Sequence, residues 1–182
     1  MTETPKMQVN PPTGEVLWRD RRFELRVVTL PLRDGQTERR GLMVHPGAVV
    51  ILPVRDDGSV VLIRNHRWTL GRAVLELPAG GLDPGEAPAV AAARELEEET
   101  GYRAAHIAPM GRFFAAPGNS TEVMYGFLAT GLTQVGQRLE ADERIEVVTL
   151  SKTEVRRRLV AGELENGPTM ALLGRWLLSD PG

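Results

Sequence analysis

The sequence predicts a mixed α/β domain. Short apolar or alternating segments recur between turn signals, the pattern of strands. They follow one another in hairpin order. A few helical segments, each with its own start or stop signal, are set among them. With 182 residues, 42% of them hydrophobic and 25% charged, the chain is long enough to bury a real core.

Residues 1–14 carry Pro5, Pro11, Pro12 and Gly14 among polar residues and are expected to form a loose tail. From Glu15 to Met43 the chain reads as strands: Arg22-Phe23-Glu24-Leu25-Arg26-Val27 alternates polar with apolar, and Asp34-Gly35 is a hairpin turn signal. Ala48 to Val54 and Val60 to Ile63 flank a second turn at residues 56–58. Val49-Val50-Ile51-Leu52 is continuously apolar, so this strand should be central and covered on both faces. Val74 to Leu77 is a short strand stopped by Pro78. Residues 79–85 (Ala-Gly-Gly-Leu-Asp-Pro-Gly) hold too many breakers for an element interior.

Ala87 to Thr100 contains good helix formers and stops at Gly101, the usual residue just past a helix. Strands follow at Ile107–Phe114, Val123–Ala129 and Ile145–Leu150. Ser151-Lys152-Thr153-Glu154 is a capping box opening a helix to about Ala161. Pro168 opens a last helix, whose Met170, Leu172, Leu173, Trp176 and Leu177 have core or dimer-packing spacing.

Composition excludes several classes of function. The chain has no cysteine, which removes disulfide scaffolds, thiolate-bound zinc and thiol nucleophiles. A net charge of −2 argues against gripping nucleic acid by bulk positive charge. The start has no signal-like apolar run, and no apolar stretch nears the ~18 residues of a membrane span. A soluble, cytoplasmic protein without membrane contact is expected. His45, His66 and His106 show no metal-ligand spacing and read as structural or exposed.

The stretch Arg94-Glu95-Leu96-Glu97-Glu98-Glu99 carries the chemistry. On a helix with Glu95 at zero, Glu98 falls near 300° and Glu99 near 40°, so the three share one face. Leu96, Ala89, Ala93 and Val90 fall on the opposite side, and the small Ala91 and Ala92 flank the acidic face. A solvated Glu-rich face is the plain alternative. Yet Glu95 and Glu99 make a like-charge pair that costs roughly 0.2–0.5 kcal/mol, and they sit near the helix C-terminus, where the macrodipole disfavours anions. Both penalties point to a missing cation. Hard carboxylate oxygens suit Mg²⁺, with Mn²⁺ as the alternative. The glycine-rich loop upstream can approach a ligand closely and offer a carbonyl. Metal-assisted hydrolysis of a phosphoanhydride is the chemistry these features allow.

These residues resemble the Nudix hydrolase family, whose signature is Gly, five residues, Glu, seven residues, then Arg-Glu-aliphatic-x-Glu-Glu-x-Gly-aliphatic. Gly80, Glu86, Arg94, Glu95, Leu96, Glu98, Glu99 and Gly101 meet every fixed position, and Tyr102 stands where an aliphatic residue is more usual. His45 to Val50, Glu76 to Gly80 and Ala116-Pro117-Gly118 are similar to the ADP-ribose pyrophosphatase branch, as is Asp142 to Val147.

The resemblance implies an α/β/α sandwich with a mixed sheet at residues 46–182. It implies an N-terminal antiparallel strand extension at residues 15–45, used for homodimerisation. Glu95, Glu98, Glu99 and the Ala79 carbonyl would bind the divalent metal, with Arg94 orienting the carboxylates. Gly80 and Gly101 would hold the loop–helix geometry, and Glu86 would help hold that geometry or the metal shell. Glu143 matches the position of a catalytic base, with Glu140 and Asp142 as nearby substitutes. Arg67 would contact phosphate, beside Trp68, which could stack on a base or pack the loop. Trp18 and Phe23 would stack on adenine, and Pro117 and Gly118 would line the substrate site. The implied substrate is a nucleoside diphosphate linked to another group, first of all ADP-ribose, giving AMP and ribose 5-phosphate. GDP-mannose, another nucleotide sugar or an oxidised nucleotide are alternatives. A non-enzymatic binding role is disfavoured because every box carboxylate is kept.

Overall fold

The computed structural model describes residues 6–179. Strands β1 (Glu15–Arg19), β2 (Glu24–Pro31) and β3 (Thr37–Val44) form an antiparallel sheet in that order. Strand β4 (Ala48–Pro53) runs parallel to β9 (Val123–Gln134), which pairs antiparallel with β8 (Tyr102–Phe114). On its other edge β4 takes β7 (Ala79–Gly81), so this mixed sheet has the order β7-β4-β9-β8. A third sheet has the order β10-β5-β6, from β10 (Ile145–Leu150), β5 (Val60–Arg67) and β6 (Arg72–Glu76). The helices are α1 (Pro88–Thr100), α2 (Lys152–Val160) and α3 (Gly167–Ser179).

The continuous apolar run of β4 is buried along its whole length because both of its faces are covered. Val50 and Leu52 pack with Val155 of α2 and with Leu172 and Leu173 of α3. Val49 and Ile51 pack on the other side with Ala91, Ala92 and Leu96 of α1 and with Tyr125 and Phe127 of β9. Helices on both faces of a mixed sheet make the expected α/β/α sandwich. Capping chemistry sets the ends of the helices. Ser151 Oγ accepts the Glu154 N–H at 3.2 Å and starts α2. Asn166 Oδ1 accepts the Thr169 N–H at 2.9 Å at the start of α3. Gly101 closes α1 at φ 72°, in the left-handed region, and a Cβ there would meet the Gln137 nitrogen at 2.8 Å.

Four local expectations are corrected. Residues 79–81 form a strand despite their glycines, because β4 supplies a pairing edge for Ala79, Gly80 and Gly81. β8 begins at Tyr102 rather than Ile107, since the Gly101 turn leads directly into pairing with Gln134. β5 runs on to Arg67 because its ladder with β6 continues to Arg72. The orientation of α1 also differs. Ala91 and Ala92 are buried, while Ala93 is exposed and Val90 is 58% exposed. The small alanines let the helix approach the sheet on the edge of its acidic face, which carries Glu95 and Glu99 down with them.

Residues 6–14 contain no helix or strand but are tied down. The Met7 N–H donates to the Tyr125 hydroxyl at 2.7 Å, and Met7 and Val9 pack on the core beside α1. Residues 1–5 of the expected tail lie outside the described residues. Among the described residues no helix is long and apolar enough to cross a membrane.

Candidate active site

The loop entering α1 and the C-terminal half of that helix form one hydrogen-bonded unit. Arg94 is at its centre. Its guanidinium makes a two-pronged contact with Glu86 at 3.0 Å on each prong, donates to Glu95 at 2.7 Å and to Glu98 at 3.2 Å, and reaches the Gly81 carbonyl at 3.1 Å. Such bidentate pairing fixes orientation as well as distance. Glu86 in turn accepts the Asp83 N–H at 3.0 Å, which folds the loop back on itself. Glu99 accepts the Ala79 N–H at 2.7 Å. Gly80 leaves the space that the Glu95 carboxylate fills.

Burial sets the electrostatics. Glu95 is 9% exposed and Glu99 is 3% exposed, on the rim where α1 meets β7. Desolvation pushes Glu95 up to about 7, against the opposing pull of Arg94 and with the help of Glu98 and Glu143. Burial also pushes Glu99 well above the usual carboxylate range, although the Ala79 amide works the other way. Glu86 is held below that range, first by its hydrogen bonds from Arg94. Among the described residues, no three acidic or imidazole side chains are drawn into a closed ligand cage. Arg94 bridges Glu95 and Glu98. The donor set nonetheless fits a hard divalent cation. It consists of carboxylate oxygens, and those of Glu95 and Glu99 are largely shielded from water.

These carboxylates line a cleft of about 450 Å³. The loop before β10 lines the same cleft with Glu140, Asp142 and Glu143, and Glu143 is close enough to act electrostatically on Glu95 and Glu99. Arg67 also lines the cleft. Its guanidinium makes a close two-oxygen contact with Glu76, which is only 2% exposed. Burial draws the Arg67 guanidinium down, but the Glu76 hydrogen bonds and charge outweigh this and leave it raised. Trp68, in the turn between β5 and β6, is 82% exposed and lines the cleft.

Other expected residues lie elsewhere. Trp18 on β1 is 60% exposed, Phe23 is half-buried, and Pro117 and Gly118 are exposed in the β8–β9 connection; none of them lines this cleft within one chain. Sequence reasoning missed Arg21 and Arg22, which do line it. Two arginines in a turn carry no mark of their own. Only their placement opposite the acidic loop reveals them.

A family model described as NUDIX domain matches residues 43–171. The ADP-ribose pyrophosphatase of Bacillus subtilis (strain 168) is 34% identical over 149 residues, 81% of this chain and 80% of the relative. The ADP-ribose pyrophosphatase of Mycobacterium tuberculosis is 38% identical over 153 residues, 82% and 73% of the two chains. A GDP-mannose pyrophosphatase of Enterobacter is 32% identical over 170 residues, 85% and 87% of the two chains. Among solved structures, one titled "Crystal structure of ADP compounds hydrolase" superposes with a TM-score of 0.75 at 24% identity, over 94% of this chain and 98% of the other.

Proposed function

The chain belongs to the Nudix hydrolase family and is a pyrophosphohydrolase of nucleoside diphosphate substrates, and from that premise we propose that it hydrolyses ADP-ribose to AMP and ribose 5-phosphate. The observation that carries the reading is one cleft lined together by Glu95, Glu98, Glu99, Glu143 and Arg67. The ADP-ribose pyrophosphatases among the relatives support the choice of substrate.

A divalent cation, Mg²⁺ or Mn²⁺, held by Glu95, Glu98, Glu99 and the Ala79 carbonyl would neutralise diphosphate charge and acidify water. The chain's own residues do the rest. Arg94 keeps Glu95 and Glu98 aligned, and its bonds to Glu86 and Gly81 hold the loop against the helix. Arg67 presents positive charge to the diphosphate, and Glu76 stops it from swinging away. Glu143 takes the proton of the attacking water. Trp68 offers an aromatic face at the mouth of the cleft.

Trp18, Phe23, Pro117 and Gly118 contact the nucleoside or sugar in this reading, and a homodimer brings them there. Exposed Val16, Leu17 and Trp18 on β1 give such a contact an apolar surface. A GDP-mannose reading uses the same cleft with a different base and sugar pocket, and the Enterobacter relative favours it as the second choice.

The test is a substrate panel with Mg²⁺: ADP-ribose, GDP-mannose, other nucleotide sugars, dinucleotides and 8-oxo nucleotides. The expected result is the highest kcat/KM for ADP-ribose, with AMP and ribose 5-phosphate as products. A better rate on another substrate would reassign the base or sugar. No Mg²⁺-dependent turnover of any of them would remove the reading.

A further inference from the structure

The loop that carries Glu143 meets an electrostatic obstacle. Its tip holds Glu140, Asp142 and Glu143, which line the same cleft as Glu95, Glu98 and Glu99. Like charges in a partly dehydrated space repel. Left alone, the tip would be driven away from the helix that it must face.

The ends of the loop are fastened by other means. Near its start, the Arg138 N–H donates to the Glu98 carbonyl at 3.0 Å, and the Gln137 side chain donates to the Glu99 carbonyl. At its end, the His66 N–H donates to the Arg144 carbonyl at 3.0 Å. Between these anchors the tip closes on itself. The Glu140 N–H donates to Glu143 Oε2 at 2.8 Å, and the Glu143 N–H returns a bond to the Glu140 carbonyl at 3.1 Å. Whatever fixes Glu140 therefore fixes Glu143.

The β1–β2 turn reaches that residue. Asp20 Oδ1 accepts the Arg22 N–H at 2.7 Å and the Phe23 N–H at 3.0 Å, which stiffens the turn. The turn projects Arg21 to Glu140 at 2.6 Å, and Arg22 to Asp142 at 3.4 Å and Glu140 at 3.7 Å. Each pair is solvent-exposed and adds little to stability on its own. Their importance lies in placement, since they supply positive charge at the point where the tip faces the acidic helix.

We propose that Arg21 is a positioning residue for hydrolysis: by holding Glu140, and with Arg22 holding Asp142, it sets the loop tip so that Glu143 faces the carboxylates of α1. This rests on the reading of Glu143 as the base. It gives the N-terminal strand sheet a direct part in the chemistry of the same chain.

The test is a charge swap. Arg21→Glu should lower kcat roughly tenfold or more while KM stays within about threefold, the mark of an interaction that matters in the transition state rather than in substrate binding. Arg21→Lys should keep most of the rate. Glu140→Arg alone should fall in the same way, and Arg21→Glu combined with Glu140→Arg should recover most of the lost kcat. An unchanged rate in Arg21→Glu, a loss confined to KM, or no recovery in the swap would overturn the proposal. A thermal melt of each variant checks that the fold is kept. Glu143→Gln, assayed in parallel, separates the two readings. If it keeps the wild-type rate, the base assignment falls, while recovery or failure in the swap still decides the Arg21–Glu140 tie.

Discussion

The Glu95 carboxylate occupies the space where a side chain at residue 80 would have to begin: a Cβ built on Gly80 would lie 2.1 Å from the Glu95 Cδ. The group in the way is the end of a flexible side chain, so a new methyl can displace it without breaking the backbone. Gly80→Ala should therefore leave the fold standing, with a melting shift of no more than a few degrees. It should move Glu95 off its place, and such displacements cost on the order of a hundredfold in rate. Kinetics beside a thermal melt check this. Wild-type turnover in Gly80→Ala would show that the position of Glu95 is unimportant.

Arg94 joins Glu86, Glu95, Glu98 and Gly81 through one planar group. A lysine keeps the charge but cannot bridge two carboxylates and a carbonyl with fixed geometry. Arg94→Lys should lower kcat at least tenfold and cost about 1.5–3 kcal/mol, the range for hydrogen bonds to charged groups. Urea unfolding and steady-state kinetics measure both. A variant equal to wild type in rate and stability would mean that Arg94 is not the organiser of the helix face.

Local signals made much of this legible. The apolar run Val49–Leu52 marked the strand that both layers cover. Gly101 marked the end of α1. The spacing of Glu95, Glu98 and Glu99 alone puts them on one face of a helix. What escaped depended on partners far away in the chain. Residues 79–81 become a strand only because β4 offers an edge. An amphipathic reading turns carboxylates outward, so it put Val90 and Ala93 inside. In the molecule the alanines at 91 and 92 allow a close approach that carries Glu95 and Glu99 inward. Arg21 gains its meaning from Glu140, a pairing across 119 positions of sequence.

Stability without metal should depend on pH in a definite direction. Glu95 titrates near 7 in the folded chain against an ordinary value of 4.5. Below the ordinary value both states are protonated and Glu95 costs nothing. Between the two values the folded chain holds a proton that the unfolded chain has lost, so unfolding free energy falls as pH rises. The loss is complete above about 7 and is of the order of 3 kcal/mol. Urea unfolding in chelator from pH 4.5 to 8 should show this decline, and Glu95→Gln should make it shallower, leaving the share that the buried Glu99 contributes in the same direction. An unchanged slope in that variant would place the effect elsewhere.

Glu99 should separate stability from activity. It is 3% exposed, and burial works against its charge. Glutamine in its place keeps an oxygen to accept the Ala79 N–H, now held at 2.7 Å, and removes the charge. In chelator at pH 8, Glu99→Gln should thus be at least as stable as wild type. With Mg²⁺ present the order should reverse if Glu99 is one of the proposed metal-binding carboxylates, and added metal should raise the melting temperature of the variant less. Turnover should drop about a hundredfold or more, the scale of losing several kcal/mol of charge stabilisation. Glu98 offers the contrast. Its side chain is 31% exposed, so Glu98→Gln should lose activity with no gain in chelator. Melting curves with and without metal, read beside kcat, decide the matter. A Glu99→Gln protein that is destabilised in chelator yet fully active with Mg²⁺ would remove Glu99 from the metal-binding set and assign it to holding the loop through Ala79.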